Sequence, residues 1–182
     1  NITPDKQHFF LERTHSQIVR LSDLIRDIAL ITKTEEASEL FDKERVNVHN
    51  TLQEVIDDLH DPIIAHGINV KNEINPQTII EGNKTLVYAI FRNLIENSIN
   101  YAGDHISIGV NNYMEDKEFY YFSYYDTGQG IEENHLNRIF ERFYRVCEGR
   151  SRQNGGSGLG LSIVKNAVLF HKGDISAKNR KD

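Results

Sequence analysis

The sequence predicts an α/β (α+β) two-layer sandwich, in which a mixed sheet is backed by helices, preceded by one long helix. From residue 45 onward, short segments with the alternating pattern of strands are interleaved with segments of helical periodicity. Residues 105–113 and 118–126 both alternate and are joined by residues 114–117, which indicates an antiparallel hairpin rather than a doubly wound parallel sheet. With 182 residues and 38% hydrophobic content, the chain can bury one good core and carry a small helical appendage.

Composition excludes several classes of protein. The formal net charge is −6, with acidic and basic residues interspersed, so no nucleic-acid partner is expected. The single cysteine, Cys147, excludes an internal disulfide framework and fits a reducing compartment. No apolar run approaches the length of a membrane span. Because the chain begins without Met or a signal pattern and ends on polar residues, we expect a piece of a longer protein. Any membrane anchor of that protein would lie outside this piece.

Residues 4–33 are predicted to form one long amphipathic helix. Pro4 and Asp5 suit its first turn, where a missing N–H costs nothing and a carboxylate meets the positive helix end. Spacings of three and four, typical of a coiled-coil seam, relate Leu11, Thr14, Ile18, Leu21, Ile25 and Ile28, with Leu24 and Ile31 beside them. Such a helix cannot bury its stripe alone. Because the polar stretch 32–45 separates it from the rest, we expect it to associate with a helix of another molecule rather than to fold back.

The elements that follow are predicted from periodicity and from capping residues. Asn50 is predicted as the N-cap of a helix that ends at Gly67, and Asn83 as the N-cap of a strongly periodic helix. The predicted elements are, in order, strand 45–48, helix 50–67, strands 68–74 and 78–82, helix 83–102, hairpin strands 105–113 and 118–126, a short helix around 135–145, a glycine-rich segment, helix 157–171 and a last strand 174–178.

The first stretch with chemical potential is "FRNLIENSINYA", residues 91–102. Asn93 and Asn97 are four residues apart, so they share one face of the predicted helix. Two amide groups facing a cavity can offer oxygen ligands without adding charge, which suits a magnesium ion already neutralised by phosphates. An isolated pair of this kind is more often two surface asparagines.

The second stretch is "YYDTGQGI", residues 124–131. Asp126 ends a predicted strand, and Gly128 and Gly130 permit a turn that brings backbone close to a ligand. A carboxylate in this place can accept a hydrogen bond from an exocyclic amine such as that of adenine. On its own, this pattern is more often an ordinary turn than a binding site.

The third stretch is "RIFERFYR", residues 138–145. Its aromatic residues favour packing, and its arginines are typical of a solvated surface: Phe140, Phe143 and Tyr144, with Arg138, Arg142 and Arg145. An arginine placed near a phosphoryl group in transfer would stabilise its charge.

The fourth stretch is "NGGSGLGLSIVK", residues 154–165, in which three glycines open a helix. Free N–H groups and the helix dipole make such a start an anion site. A P-loop needs Lys directly after its glycines, and Lys165 comes too late. A dinucleotide-binding fingerprint needs a preceding strand in a βαβ unit near its start, whereas this stretch lies near the C-terminal end.

In this order, the four stretches resemble the asparagine, first glycine, phenylalanine and second glycine motifs of the ATP-binding domain of sensor histidine kinases. That domain belongs to the superfamily of gyrase, Hsp90, histidine kinases and MutL. The resemblance covers roughly residues 40–178, and four ordered motifs are far more specific than any single one. It implies a Bergerat-type ATP-binding catalytic domain at 41–182, without its C-terminal strand. For 1–40 it implies the second helix of the dimerisation and histidine-phosphotransfer domain, plus a linker.

The resemblance also implies the roles of residues around the nucleotide. Asn97 would be the magnesium ligand, Asn93 would line the same phosphate region, and Tyr101 would lie beside the nucleotide. Asp126 would accept a hydrogen bond from the adenine amino group. The residues that would shape the base pocket are Gly128, Gly130 and Ile131.

Catalysis and phosphate binding are assigned in the same way. Arg145 would reach towards the γ-phosphate or hold the two domains of the kinase in register. Residues 146–156 would form a mobile ATP lid and the least ordered internal segment without nucleotide. Its hinge and the phosphate contacts would be Gly156, Ser157, Gly158, Leu159 and Gly160.

The activity that the resemblance implies is that of a protein-histidine kinase of a two-component system. Such an enzyme binds ATP and Mg²⁺, and transfers the γ-phosphoryl group to a histidine and then to the receiver domain of a response regulator. The resemblance implies a homodimer in the parent protein, and a cytoplasmic portion of a bacterial kinase anchored in the inner membrane.

Three departures from the family pattern stand out. Asn100 occupies a position that is usually basic, so one phosphate contact is missing or comes from another residue, such as Arg150 or Arg152. The chain ends before a glycine turn and closing strand, which leaves a sheet edge exposed. No H-E-x-x-x-P-like motif occurs, and the eight histidines lack ligand spacing. We therefore expect no metal-binding histidine and no self-phosphorylation.

Two alternatives come from other functional classes. An ATP-driven clamp of the Hsp90 or MutL class uses a glutamate base one turn before the magnesium asparagine, where this chain has Asn93, which cannot accept a proton from water. The chain could also act only as a nucleotide-binding module. A protein-serine kinase of the superfamily would have no use for the leading helix.

Overall fold

The computed structural model describes residues 3–36, 41–146 and 156–180. Along these ranges the elements are α1 (Pro4–Glu36), β1 (Glu44–Asn47), α2 (Val48–Asp58), α3 (His60–Ala65), β2 (Asn69–Glu73), β3 (Ile79–Gly82), α4 (Lys84–Tyr101), β4 (Ser107–Glu115), β5 (Tyr120–Asp126), α5 (Glu133–Leu136) and α6 (Gly160–Phe170). The predicted class, an α/β sandwich of mixed sheet and helices behind one long helix, is confirmed.

Two sheets form the β layer of the described chain. Strands β1 and β3 pair antiparallel, with Glu44 opposite Gly82. The second sheet has the order β2-β4-β5, in which β2 and β4 are parallel and β4 and β5 are antiparallel, with Ile108 opposite Asp126. The predicted hairpin is therefore confirmed. Its register places Asp126 at the last position of β5, where the strand emerges next to α4.

The helices α2 and α4 cover one face of this layer. The main core joins their apolar faces to the inward side chains of the strands, and its fully buried members include Leu52, Val55, Ile95, Ile108 and Val110. Burial of each such side chain stabilises the fold by roughly 1.5–3 kcal/mol relative to exposure. Because α4 also packs on α6, it forms the rigid support on which most of the candidate site is built.

The helix starts follow capping chemistry, with one correction. Asn83 caps α4 as predicted, because its side chain accepts the N–H of Leu86. The predicted N-cap of α2, Asn50, is wrong. Asn47 has the extended backbone of a cap, and its Oδ1 accepts the N–H of Asn50, which is already inside the helix.

The predicted helix 50–67 is two helices. Pro62 has no N–H to donate to the carbonyl of residue 58, so α2 stops and α3 begins at His60. Gly67 ends this part of the chain with a φ of 62°, as expected for a glycine after a helix.

Helix α1 is longer than predicted, and its last turns do fold back on the chain. Ile31 is only 3% exposed and packs in a cluster with Ala89, Leu159 and Ile163. The expectation that the helix stands apart from the downstream chain is therefore wrong for its C-terminal end. Farther from that end the stripe is exposed, as at Phe10, Leu11, Ile18, Leu21, Ile25 and Ile28. Over the described ranges, no helix has the length and hydropathy needed to cross a membrane.

The C-terminal segment differs from its prediction. Residues 173–180 are extended, but 174–178 form no strand, because no backbone ladder joins them to a neighbour within the described chain. Within the described chain, β5 is therefore an edge strand of the β2-β4-β5 sheet. The predicted short helix around 135–145 is also shorter, since only Glu133–Leu136 is helical and turns follow.

Candidate nucleotide-binding site

One face of α4 carries the predicted amide and tyrosine residues. Asn93, Asn97 and Tyr101 follow at intervals of four, so they lie along one side of the helix. The Nδ2 of Asn93 donates to the carbonyl of Ala89 at 2.8 Å. The Nδ2 of Asn97 is buried and has no hydrogen-bond partner in the described part of the chain. A buried amide N–H without a partner costs stability, so the Nδ2 of Asn97 can gain by donating to a ligand. The Nδ2 of Asn93 is already bound to the protein backbone.

Asp126 faces α4 from the end of β5. Its Oδ2 accepts the hydroxyl of Ser98 at 2.7 Å, and its Oδ1 accepts the N–H of Gly128 at 2.9 Å. Each carboxylate oxygen can accept more than one hydrogen bond. The two internal bonds therefore orient the half-buried carboxylate and leave it capacity to accept a donor from a ligand.

Two residues behind Asp126 were not predicted. Ser98 is buried, and its Oγ lies 2.7 Å from the hydroxyl of Tyr124, which in turn lies 3.0 Å from the carbonyl of Leu94. Burial, and secondarily the charge of Asp126, raise the pKa of Tyr124 well above its usual range, while the Ser98 hydroxyl lowers it. Tyr124 is thus a neutral donor throughout the working pH range. The sequence feature that could have identified Tyr124 is its position two residues before Asp126, which places both side chains on the same face of β5.

The turn after Asp126 requires its glycines. A Cβ on Gly128 would lie 2.6 Å from the Cβ of Ala102 and 2.7 Å from its carbonyl oxygen, so the turn passes directly against the end of α4. Gly130 has a φ of 74°, which L side chains rarely adopt. The half-buried Ile131 follows, and both its N–H and its carbonyl are hydrogen-bonded to the side chain of Asn179.

The second glycine stretch lies against the asparagine helix. A Cβ on Gly160, the first residue of α6, would lie 2.8 Å from the Oδ1 of Asn93. The hydroxyl of Tyr101 occupies the space where a side chain on Gly156 would begin. Leu159 is 1% exposed and packs in the cluster that also contains Ile31, Ala89 and Ile163. Ser157 Oγ accepts the N–H of Leu159 at 3.1 Å, and this bond fixes the backbone just before α6 begins.

The "RIFERFYR" stretch packs on the same glycines. The N–H of Phe143 donates to the carbonyl of Gly158 at 2.9 Å, and a Cβ on Gly158 would lie 2.9 Å from the Phe143 backbone. Within the stretch, Arg138 pairs with Glu141 at 3.2 Å and stacks on Tyr144. Arg145, the last residue of the stretch, is half-buried and also interacts with other groups of the protein.

Parts of the predicted site lie outside the described residues. These are residues 147–155 of the lid, which include Cys147, Arg150 and Arg152. Asn100 is exposed and donates to the carbonyl of Glu96. Within the described ranges, no group of three or more His, Cys, Asp or Glu residues could hold a metal ion. A cation here would therefore depend on neutral oxygen donors such as the Asn97 amide, together with oxygens of its ligand.

The arrangement is matched by a known family. Residues 82–182 match the histidine kinase-, DNA gyrase B- and HSP90-like ATPases, and because this is more than half of the chain, the protein belongs to that family. The sensor histidine kinase WalK of Bacillus subtilis is 31% identical over 172 residues, which are 92% of this chain and 28% of WalK. The chain spans about a third of the length of the curated relatives it matches. The resemblance drawn from the four motifs is confirmed.

Solved structures agree on the fold. The histidine kinase AdeS of Acinetobacter baumannii superposes with a TM-score of 0.76 at 19% identity, over 98% of this chain and 80% of that one. The histidine kinase ThkA, solved in complex with its response regulator protein TrrA, superposes with a TM-score of 0.73 at 20% identity, over 98% of this chain and 49% of that one. At these identities the likeness shows the fold alone.

Proposed function

We propose that this chain is the ATP-binding catalytic part of a sensor histidine kinase, at residues 41–182, and that residues 1–40 carry the second helix of its dimerisation domain. One observation carries the proposal. Three stretches far apart in sequence meet along one side of α4, where Asn93 contacts Gly160, Tyr101 contacts Gly156, and Ser98 binds Asp126. A base-recognising carboxylate, amide oxygens and a glycine-rich helix start are thereby brought together.

The base end of the site is Asp126 and its turn. An oriented carboxylate accepts a hydrogen bond from the 6-amino group of adenine, whereas guanine presents a carbonyl there, and two acceptors repel. Gly128 lets the turn after Asp126 lie directly against the end of α4, and Gly130 supplies the positive φ that the turn needs, so the glycines set where the turn faces the base. Adenine is therefore favoured over guanine.

The phosphate end is the start of α6. Its first N–H groups and the helix dipole attract anions, and Gly158 and Gly160 let the backbone come close. When bound, Mg²⁺ would neutralise charge on the phosphates. The neutral Oδ1 of Asn97 could serve such an ion as an oxygen ligand. Its buried Nδ2, which has no partner in the described chain, could donate a hydrogen bond to a phosphate oxygen.

Phosphoryl transfer then depends mainly on placement. The acceptor is a histidine outside this sequence, and the next acceptor is a receiver domain of a response regulator, as the ThkA complex with its regulator supports. Arg145 lies two residues after Phe143, which binds the carbonyl of Gly158, and it supplies positive charge near the transferred group or holds the domains in register.

A hydrolytic clamp fits the geometry less well. The residue one turn before Asn97 is Asn93, whose amide is committed to Ala89 and lies against Gly160. The nearest carboxylate on the helix, Glu96, pairs with Arg92 at 2.9 Å. No carboxylate of α4 is thus free to take a proton from an attacking water.

The parent protein would be a homodimer whose cytoplasmic part contains this chain, beside the inner membrane of a bacterium. Its dimer contact would be the exposed stripe of α1, since a stripe of that size needs a partner. The bacterial sensor kinases to which the chain is similar support this location.

The test is transfer in trans. The chain is incubated with γ-labelled ATP, Mg²⁺ and a separate dimerisation domain that carries an H-E-x-x-x-P motif. We expect acid-labile, alkali-stable label on that domain, at a rate linear in its concentration. Asn97→Ala should abolish the label, and the exposed Asn100→Ala should retain it. Release of free phosphate without labelling of the domain would favour the clamp instead.

A further inference from the structure

We propose that Asn179 is a positioning residue for the nucleotide base, acting by holding the turn that follows Asp126. The inference rests on the proposed function, since it assigns a residue to the same site. It extends that site to the C-terminal segment, which lies 48 residues beyond the turn and outside all four motifs.

The contact is a closed pair of hydrogen bonds. The Oδ1 of Asn179 accepts the N–H of Ile131 at 3.0 Å, and its Nδ2 donates to the carbonyl of Ile131 at 2.6 Å. A carboxamide has one acceptor and one donor side, so it satisfies a residue's backbone as a neighbouring strand would. No other hydrogen bond to the Ile131 backbone occurs in the described chain.

Packing against Gly130 makes the contact specific. The Oδ1 of Asn179 lies 2.9 Å from the position that a Cβ on Gly130 would take. Gly130 also has a φ of 74°. The absence of a side chain at this position therefore serves both the turn and the approach of Asn179.

The turn is thereby anchored at both ends. At its start, the N–H of Gly128 is held by Asp126, and the residue packs on Ala102. At its end, Ile131 is held by Asn179. Without Asn179, the Ile131 backbone would lose both of these hydrogen bonds, and the turn would be held only by the contacts of Gly128 and by the long bond, 3.4 Å, from Gln129 Nε2 to the Tyr101 carbonyl.

A second contact seats the segment on the other side of Asp126. The guanidinium of Arg180 stacks on the ring of Tyr125 at 4.2 Å, and Tyr125 in turn covers Gly109 of β4. Since Tyr125 immediately precedes Asp126, the pair Asn179 and Arg180 holds the backbone before and after the carboxylate. Asn179 is itself exposed, so its loss leaves the core intact.

The expected effect is on affinity for the base and not on the phosphates. Loss of the two hydrogen bonds leaves the end of the turn less preorganised, and we expect roughly five- to twenty-fold weaker binding of ADP. Binding of inorganic tripolyphosphate, which has no base, should not change. A residue that merely supported the fold would weaken both ligands together.

The experiment is calorimetric titration of the whole chain with ADP and with tripolyphosphate, each with Mg²⁺. Asn179→Ala is compared with Lys178→Ala, the exposed neighbour, which should bind both ligands as the unchanged chain does. Asn179→Asp is a second variant of the same shape, whose carboxylate faces the Ile131 carbonyl and should also weaken ADP alone.

The outcomes separate the two proposals. If the unchanged chain does not bind ADP, the proposed function fails. If it binds ADP and both Asn179 variants bind equally well, lose tripolyphosphate in parallel, or unfold, the positioning role is overturned. Selective loss of ADP affinity in both variants supports it.

Discussion

Replacing Ser98 by alanine should weaken the fold and the base site together. The substitution removes the hydroxyl that donates to Asp126 and that lies against Tyr124, and it leaves the helix otherwise unchanged. Tyr124 retains the carbonyl of Leu94 as a partner, so no buried hydroxyl is left unsatisfied. The main loss is therefore the hydrogen bond to the carboxylate, because the Tyr124 hydroxyl, which also loses its contact with Ser98, can still donate to the carbonyl of Leu94.

The magnitude follows from that contact. A hydrogen bond to a charged group contributes about 1.5–3 kcal/mol. Alanine has a helix propensity better than that of serine by a few tenths of a kcal/mol, roughly 0.5 at most. The free energy of unfolding should therefore fall by about 1–2.5 kcal/mol. Since Asp126 loses one of its two internal donors, ADP should also bind about fivefold more weakly, because the carboxylate is less well oriented.

The assay is urea unfolding of the unliganded chain, followed by calorimetric titration with ADP. Ser162→Ala is the matched control, because Ser162 is also buried in a helix but donates to a neutral carbonyl, that of Leu159, at 2.7 Å. Its cost should be smaller, about 0.5–1.5 kcal/mol, with no change in ADP affinity. Equal losses of stability in the two variants, or an unchanged ADP affinity in Ser98→Ala, would show that Ser98 does not orient the Asp126 carboxylate.

Three further predictions concern other parts of the chain. Gly158→Ala should destabilise the chain by more than about 1–2 kcal/mol in urea unfolding, because φ is 75° and a Cβ would meet the Phe143 backbone; an unchanged midpoint would refute this. Burial lowers the pKa of His171 below its ordinary value of 6.5, so the free energy of unfolding is highest above pH 6.5 and falls as the pH drops below 6.5. In His171→Gln, the midpoint of urea unfolding should depend less on pH. Substituting Asp for Leu21 and Ile25 should abolish any dimer in sedimentation and spare ADP binding; a persistent dimer would place the contact elsewhere.

The sequence predicts those parts of the site that depend on local rules. The cap at Asn83 and the shared face of Asn93 and Asn97 follow from the helical period, because neighbours along a helix are fixed by it. Asp126 follows from the end of an alternating strand. The misplaced cap at Asn50 is also local, since Asn47 three residues earlier has the same chemistry and the extended backbone.

The rest depends on contacts between distant segments. Ser98 reaches Asp126 across 28 residues, and Asn179 reaches Ile131 across 48, so neither pair has a local pattern. The fold-back of α1 is of the same kind. Periodicity shows that its stripe must be covered, but Ile31 meets Leu159 only through tertiary packing. A strand at 174–178 likewise requires a partner that no local pattern supplies.

The most direct measurement of adenine recognition is titration calorimetry of the whole chain with ADP and with GDP, in the presence of Mg²⁺. We predict ADP binding in the micromolar to millimolar range, weaker GDP binding, and loss of ADP binding in Asp126→Ala. Asp174→Ala, an exposed carboxylate in the C-terminal segment, should bind ADP as the unchanged chain does. Equal affinity for ADP and GDP, or an Asp126→Ala variant that binds ADP normally, would contradict it.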